Sequence, residues 1–288
     1  MAASNTSPLK VTVFIPCLVD QVAPKIGLAT MTLLRALGCE PQYQAELVCC
    51  GQPAFNAGQR DQAKNVAQHV LRHLDLSLPL VVPSGSCAAM LKNYYYTLFD
   101  QSSREAELHT RAQSLRPQVF ELSQYLLQFP TLRQVFSGVA LARKVAFMNS
   151  CHSARELGLC SEPTKLLELV QGLEVVPLQS AGSIATADTP PKVACCGFGG
   201  LFCAKFPEIS QSMARTLFEA AEAAQVETIL SNDPGCIVHL RQALHARRAQ
   251  GVSTVREVLH LAEFLVKLLP ITDAPTANTA HLAQEQHV

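Results

Sequence analysis

The residues of this chain best able to do chemistry are its cysteines, and eight of the eleven fall into a frame that occurs twice. Cys49-Cys50-Gly51 and Cys195-Cys196-Gly197 are adjacent pairs closed by glycine. Each has a lone cysteine upstream on an apolar segment (Cys17, Cys151) and another downstream in a Ser/Asp/Gly-rich turn (Cys87, Cys236). Thiolates repeated in this way read first as ligands for a soft metal or an iron–sulfur cluster. Four per half suit a [4Fe–4S] cluster or tetrahedral zinc equally by count. Structural zinc sites usually carry short C-x₂₋₄-C knuckles, and neither half has one. Spacing therefore favours iron–sulfur, with zinc as the alternative. A third possibility is direct thiol–disulfide chemistry at the CC pairs. A resting vicinal disulfide would be strained, and an odd cysteine count suits a disulfide framework poorly.

The remaining chemistry-bearing residues are weaker candidates. His152 adjoins Cys151 and could ligate, move a proton or touch a substrate, although a backbone hydrogen bond is the commoner role. Arg155 could meet a carboxylate through its paired donors, against the commoner surface or salt-bridged arginine. Asp233 could offer oxygen to a metal, but its place before Pro234-Gly235 is equally what a turn requires. Cys39, Cys160 and Cys203 lie outside the frame and are expected to pack as small hydrophobes. Tyr94-Tyr95-Tyr96 is expected to be a helix packing its aromatic face. The run Gly197-Phe198-Gly199-Gly200 lacks the spacing of a dinucleotide fingerprint, and no Walker lysine motif or HExxH occurs.

The elements that must position these residues alternate between strand and helix. Strands are expected over 11–16, 47–48, 78–82, 145–148, 173–178, 193–194 and 228–230. Helices are expected over 26–37, 56–76, 104–129, 164–170, 207–224 and 255–269. Such alternation predicts an α/β fold of two pseudo-repeated, Rossmann-like halves with mostly parallel sheets, each carrying a CCG motif. The expected organisation is a first cysteine-rich domain at 10–103, a helical connection at 104–142, a second cysteine-rich domain at 143–269 and a disordered tail at 270–288. Loops at the carboxyl ends of parallel strands gather on one edge of a sheet, where ligands bind. Successive strand residues point to opposite faces, so both sulfurs of a CC pair can reach one centre only if the chain bends. Gly51 and Gly197 supply the freedom to do so.

Charge and hydropathy narrow the function classes. Lys+Arg and Asp+Glu balance at 23 each, which gives no broad attraction for nucleic acid or anionic lipid. No apolar run approaches the roughly 20 residues that span a bilayer, and the start lacks the profile of a signal peptide. A cytoplasmic protein is expected, in a compartment where clustered thiols bind metal or do redox work more often than they form disulfides.

The phrases PCLVD (16–20), CCGQPAFN (49–56), SGSC (84–87), SCH (150–152) and CCGFGG (195–200) make the chain resemble the CCG-domain proteins. That group includes the B subunit of heterodisulfide reductase, and the resemblance is closer still to the lactate-utilisation protein A family. It spans about residues 10 to 268. It implies iron–sulfur clusters, [4Fe–4S] in type and one per half. Cys17, Cys49, Cys50 and Cys87 would form one ligand set; Cys151, Cys195, Cys196 and Cys236 would form the other. It also implies a cytoplasmic electron-transfer role in oxidising L-lactate or another small 2-hydroxy acid, beside a ferredoxin-type subunit and a third subunit. In the heterodisulfide-reductase relatives the downstream element is CxxC. Here Ser84 and Asp233 hold the first of those two positions, so the five-cysteine cluster does not carry over unmodified; a zinc-stabilised scaffold subunit and a heterodisulfide-type reductase subunit are the alternative functions.

Overall fold

The computed structural model describes residues 8–102, 104–178 and 194–270. The expected strand residue Val193 and the tail from 271 onward lie outside them. The first half runs β1 (Leu9–Val13), α1 (Cys17–Gln21), α2 (Pro24–Ala36), β2 (Cys39–Tyr43), α3 (Gln52–Asn56), α4 (Arg60–His73), β3 (Leu80–Val82) and α5 (Gly85–Ala89). It continues through α6 (Ala106–Leu115), β4 (Val119–Glu121), α7 (Leu122–Leu126) and α8 (Leu132–Val135). The second half runs β5 (Ala140–Met148), α9 (Glu162–Leu167), β6 (Gln171–Pro177), α10 (Leu201–Lys205), α11 (Pro207–Ala223), β7 (Thr228–Ser231), α12 (Pro234–Ala249), β8 (Glu257–His260) and α13 (Leu261–Val266).

Each half holds a four-stranded, wholly parallel sheet, ordered β2-β1-β3-β4 and β6-β5-β7-β8. The inner strands are buried along continuous apolar runs, Leu80–Val82 at every residue and Val145–Met148 likewise, as a sheet covered on both faces requires. In this order the connections leave β1 and β3 towards opposite sides. The switch point between these two strands is where open α/β sheets bind ligands. It lies at the loops carrying Cys17 and Cys87 in the first half, and Cys151 and Cys236 in the second.

The halves are joined by a reciprocal exchange of helix contacts. α13 of the second half packs on α2 of the first, and α7 of the first packs on α9 of the second. α2 begins with proline, which suits a first helical position, and buries Ile26, Ala29, Leu33 and Leu34 at helical spacing. These residues share one core with Leu122, Tyr125, Leu166, Leu167, Leu261 and Phe264. A second cluster beneath the first sheet gathers Phe14, Leu47, Leu71, Leu80, Met90 and Tyr95.

The structure departs from the sequence expectations in three places. The stretch 104–129, expected to be helical throughout, contains β4, which pairs with β3 as Leu80↔Val119 and Val81↔Phe120. The span 255–269, expected to be one helix, opens with β8, and α13 begins only after His260. Both strands are three or four residues long, too short for alternation to declare itself against a helical pattern. Residues 47–48 are irregular and Ala194 lies in no strand. The second strand is instead β2, whose Pro41 reads as a break. Proline is tolerated there because β2 is an edge strand.

Candidate metal centre

The two CC pairs therefore follow loops, yet the bend expected at their glycines is present. Gly51 has φ of 79° and Gly197 φ of 90°, both left-handed. A side chain at either position would also meet its neighbours. A Cβ on Gly51 would lie 3.3 Å from the Ala63 carbonyl, and one on Gly197 only 2.5 Å from the Ser210 carbonyl. The turn points the Gly51 N–H at Cys49 Sγ, 3.3 Å away. The other two cysteines of each half come from the switch-point loops: Cys17 opens α1 and Cys87 lies in α5, while Cys151 caps the π-helical turn His152–Glu156 after β5 and Cys236 lies in the first turn of α12.

These placements bring each expected set of four together. In the first half Cys17 hydrogen-bonds Cys49, Cys49 contacts Cys50, and Cys50 Sγ donates to Cys87 Sγ at 3.2 Å. In the second, Cys151 hydrogen-bonds Cys195, Cys195 contacts Cys196, and Cys196 Sγ donates to Cys236 Sγ at 2.8 Å. The thiols follow one another as an open chain of contacts. Among the described residues no three Cys, His, Asp or Glu side chains are gathered as a single-ion site.

In each set the neighbouring thiols draw one cysteine's pKa down. Hydrogen bonds from Cys17 and then Cys50 pull Cys49 far below an ordinary thiol, with the Gly51 N–H adding to them and burial opposing. Hydrogen bonds from Cys151 and Cys196 do the same for Cys195, aided by the Gly197 N–H and the Arg155 charge. The donating thiols pay the reciprocal cost. Cys17 and Cys151 are raised by those same hydrogen bonds and then by burial, and Cys50 and Cys196 are raised likewise. For Cys236 the largest single influence, the bond from Cys196, lowers the pKa. Burial, Asp233 and Cys195 outweigh it and the net shift is upward.

Seven of the eight frame cysteines, all but Cys49, line one cavity of about 200 Å³ between the halves. Its wall includes His152, Gln52, Phe198 and Asp233, and no lysine or arginine among the described residues. His152 sits 3.5 Å through Nδ1 from Cys151 Sγ and 3.7 Å through Nε2 from Glu156. Arg155 is exposed, lies outside this wall, and its charge acts on Cys195.

The scan against family models matches the Cysteine-rich domain (CCG) twice, over residues 11–92 and 145–241, one match in each half. "Lactate utilization protein A" of Geobacillus sp. (strain WCH70) is 36% identical over 257 residues, 89% of this chain and 99% of that protein. The chain belongs to the lactate utilization protein A family. Its namesakes in Geobacillus kaustophilus (strain HTA426) and Bacillus licheniformis are each 35% identical over 89% of this chain, covering 98% and 99% of their own lengths. The chain thus carries two cysteine-rich domains on an α/β frame, and thiols of both sets line one cavity. No helix among the described residues is long and apolar enough to cross a membrane.

The outlying cysteines divide. Cys39 is buried, which lifts its thiol to about 11. Cys203 donates to the Gly200 carbonyl at 3.1 Å and lines a different cavity. Cys160, expected to pack, is exposed. The tyrosine run places Tyr95 fully buried with its hydroxyl donating to the Cys50 carbonyl at 3.1 Å. Sequence reasoning missed this brace. It also missed Gln52, whose amide donates to the Ser86 carbonyl at 3.0 Å, and His239, buried against Ser210. None of the three carries a spacing signal that separates it from ordinary packing.

Proposed function

We propose that this chain is an electron-carrying subunit of an assembly that oxidises L-lactate, with one [4Fe–4S] cluster in each half. The observation that carries the reading is the convergence of seven of the eight frame thiols, drawn from both halves, on one cavity. The donor chemistry fits such a group: four sulfurs per set, one with its pKa drawn down by its neighbours, and backbone N–H groups directed at sulfur. A tetrahedral zinc ion would hold all its sulfurs mutually about 3.8 Å apart, given Zn–S near 2.3 Å. The closest sulfur contacts, 3.2 and 2.8 Å, are shorter than either centre would set, so it is the wide spacing of the cysteines, without C-x₂₋₄-C knuckles, that favours the polynuclear centre. Cys17, Cys49, Cys50 and Cys87 would hold one cluster, and Cys151, Cys195, Cys196 and Cys236 the other. Bound there, the clusters would supply one-electron storage in each half.

Converting a 2-hydroxy acid to its 2-oxo acid releases two electrons and two protons. Two one-electron sites beside one cavity match that pair, and a ferredoxin-type subunit would be the next acceptor. The chain's own residues fit transfer better than capture of the substrate. The cavity wall offers a carboxylate no lysine or arginine among the described residues and already contains Asp233. In this reading other subunits of the assembly supply the contacts that hold lactate, in a cytoplasmic setting.

Anaerobic purification or reconstitution tests the reading. About eight iron and eight acid-labile sulfide per chain are expected, with a reducible paramagnetic signal and reoxidation by the partner subunits. A chain that takes up zinc alone, or folds colourless without iron, overturns it. A thiol–disulfide reading has one observation in its favour, the 2.8 Å approach of Cys196 to Cys236. It requires metal-free protein to be active and to lose that activity on alkylation.

A further inference from the structure

The two positions where CxxC relatives carry an extra cysteine, Ser84 and Asp233, meet across the boundary between the halves. Asp233 is 4% exposed and Ser84 1%. Asp233 Oδ1 accepts the Gly235 N–H of its own α12 at 3.0 Å. Its Oδ2 accepts the Ser86 N–H of α5, in the other half, at 2.8 Å, and the Ser84 hydroxyl at 3.4 Å. Ser84 Oγ in turn accepts the Cys87 N–H at 3.2 Å. One carboxylate thus caps both helices that carry the downstream cysteines, Cys87 and Cys236. The neighbouring backbone joins in, with the Gly85 N–H donating to the Asn232 carbonyl at 3.3 Å. The contact is flush: a Cβ on Gly85 would lie 1.9 Å from Ser153 Oγ and 2.6 Å from Ser150 Oγ.

A buried carboxylate is costly unless donors surround it, and here three do. What Asp233 supplies is position.

We propose that Asp233 is a positioning residue that sets the separation of the two thiol sets, by tying the first turn of α5 to that of α12 across the half boundary. The consequence for electron flow rests on both sets holding clusters; the mechanical claim does not. The positions used elsewhere for a ligand have become a clamp between the centres.

Asp233→Asn is the test. Asparagine caps a helix as well as aspartate, but its amide accepts through one oxygen only, so it cannot serve both helices. Asp233→Ser, a good local cap too short to span the boundary, guards against a folding failure of the first variant. Amide exchange in the full-length, reduced, metal-free chain should show Ser86 exchanging at least about tenfold faster, with the sheets as protected as before. A residue that merely caps its own helix would leave Ser86 unchanged, and that result overturns the proposal. In chain loaded with iron and sulfide, the magnetic interaction between the two reduced clusters should change at unaltered iron per chain. A wild-type interaction in both variants also overturns it. Failure of wild-type chain to bind iron would instead sink the electron-carrier reading, while the exchange arm still decides the clamp.

Discussion

Replacing Gly197 by alanine tests how the second CC pair is aimed. The position has φ of 90°, where a side chain costs about 1–2 kcal/mol. The new methyl would sit 2.5 Å from the Ser210 carbonyl oxygen and 3.1 Å from Met213 Cβ, both on α11. That helix cannot simply retreat, because Ser210 Oγ donates to the Gly197 carbonyl at 2.7 Å and contacts His239. Overpacking of this kind costs a further 1–3 kcal/mol or so, giving about 3 kcal/mol in all. Gly251 is the matched control: its φ is 67°, yet nothing lies within 4 Å of the Cβ position. Only the backbone term of about 1 kcal/mol applies there. Urea unfolding of reduced, metal-free protein measures the difference directly. Gly197→Ala should also lose iron from the second half, because the clash with Ser210 displaces the turn that aims the residue-197 N–H at Cys195. If it proves no more destabilising than Gly251→Ala, the steric account of the CCG turn is wrong.

Other expectations follow from the same geometry. Cys50→Ser should remove about half the bound iron, whereas Cys203→Ser, whose thiol faces the Gly200 carbonyl, should remove none; iron analysis of the two variants decides. Buried Glu121 is lifted by desolvation to about 7, against bonds from Ser123 that lower it. Its folded pKa exceeds the unfolded one, so it contributes stability fully below about pH 4.5 that is lost as pH rises through about 7. Glu121→Gln should flatten that slope by about 3 kcal/mol, read from urea titrations between those pH values. His260 acts in the opposite sense. Burial depresses it to about 3, and its Nδ1 accepts the Ala262 N–H that starts α13. Its contribution is present above about pH 6.5 and lost as pH falls towards 3, and His260→Asn should abolish that acid-side loss.

The thiol frame and the parallel α/β plan were legible because each rests on local signals. CCG followed by a small-residue turn is visible at any register, and buried runs such as Leu80–Val82 read as strands. That Cys49 and Cys50 could turn their sulfurs to one side followed from requiring a bend at Gly51, which the left-handed backbone supplies. What stayed hidden was information carried by pairs distant in the chain. β4 is three residues and is a strand only because β3 lies beside it. Asp233 reads locally as a turn residue and is one, since its Oδ1 caps α12. Nothing near it in sequence announces that Oδ2 serves Ser86, 147 residues away.

The reciprocal helix exchange makes a last prediction, about the duplication itself. If the halves were independent domains, cutting at the exposed Gly138 turn should release two stable pieces. The packing argues otherwise. α7 presents Leu122, Tyr125 and Leu126 to a core that includes Leu166 and Leu167 of the other half. α13 presents Leu261, Phe264 and Leu265 to the core shared with α2. Fully burying a side chain of this size contributes roughly 1.5–3 kcal/mol, and a typical domain has a margin of only about 5–15 kcal/mol. Exposing even part of six such residues on separation would use up most of that margin. Segments 8–138 and 139–270 expressed alone should therefore be aggregated or lack a cooperative transition, while co-expression should yield a soluble one-to-one pair on gel filtration. A single segment that is monomeric and unfolds cooperatively would show that each sheet closes its own core, and the exchanged helices would then be a contact surface rather than part of the fold.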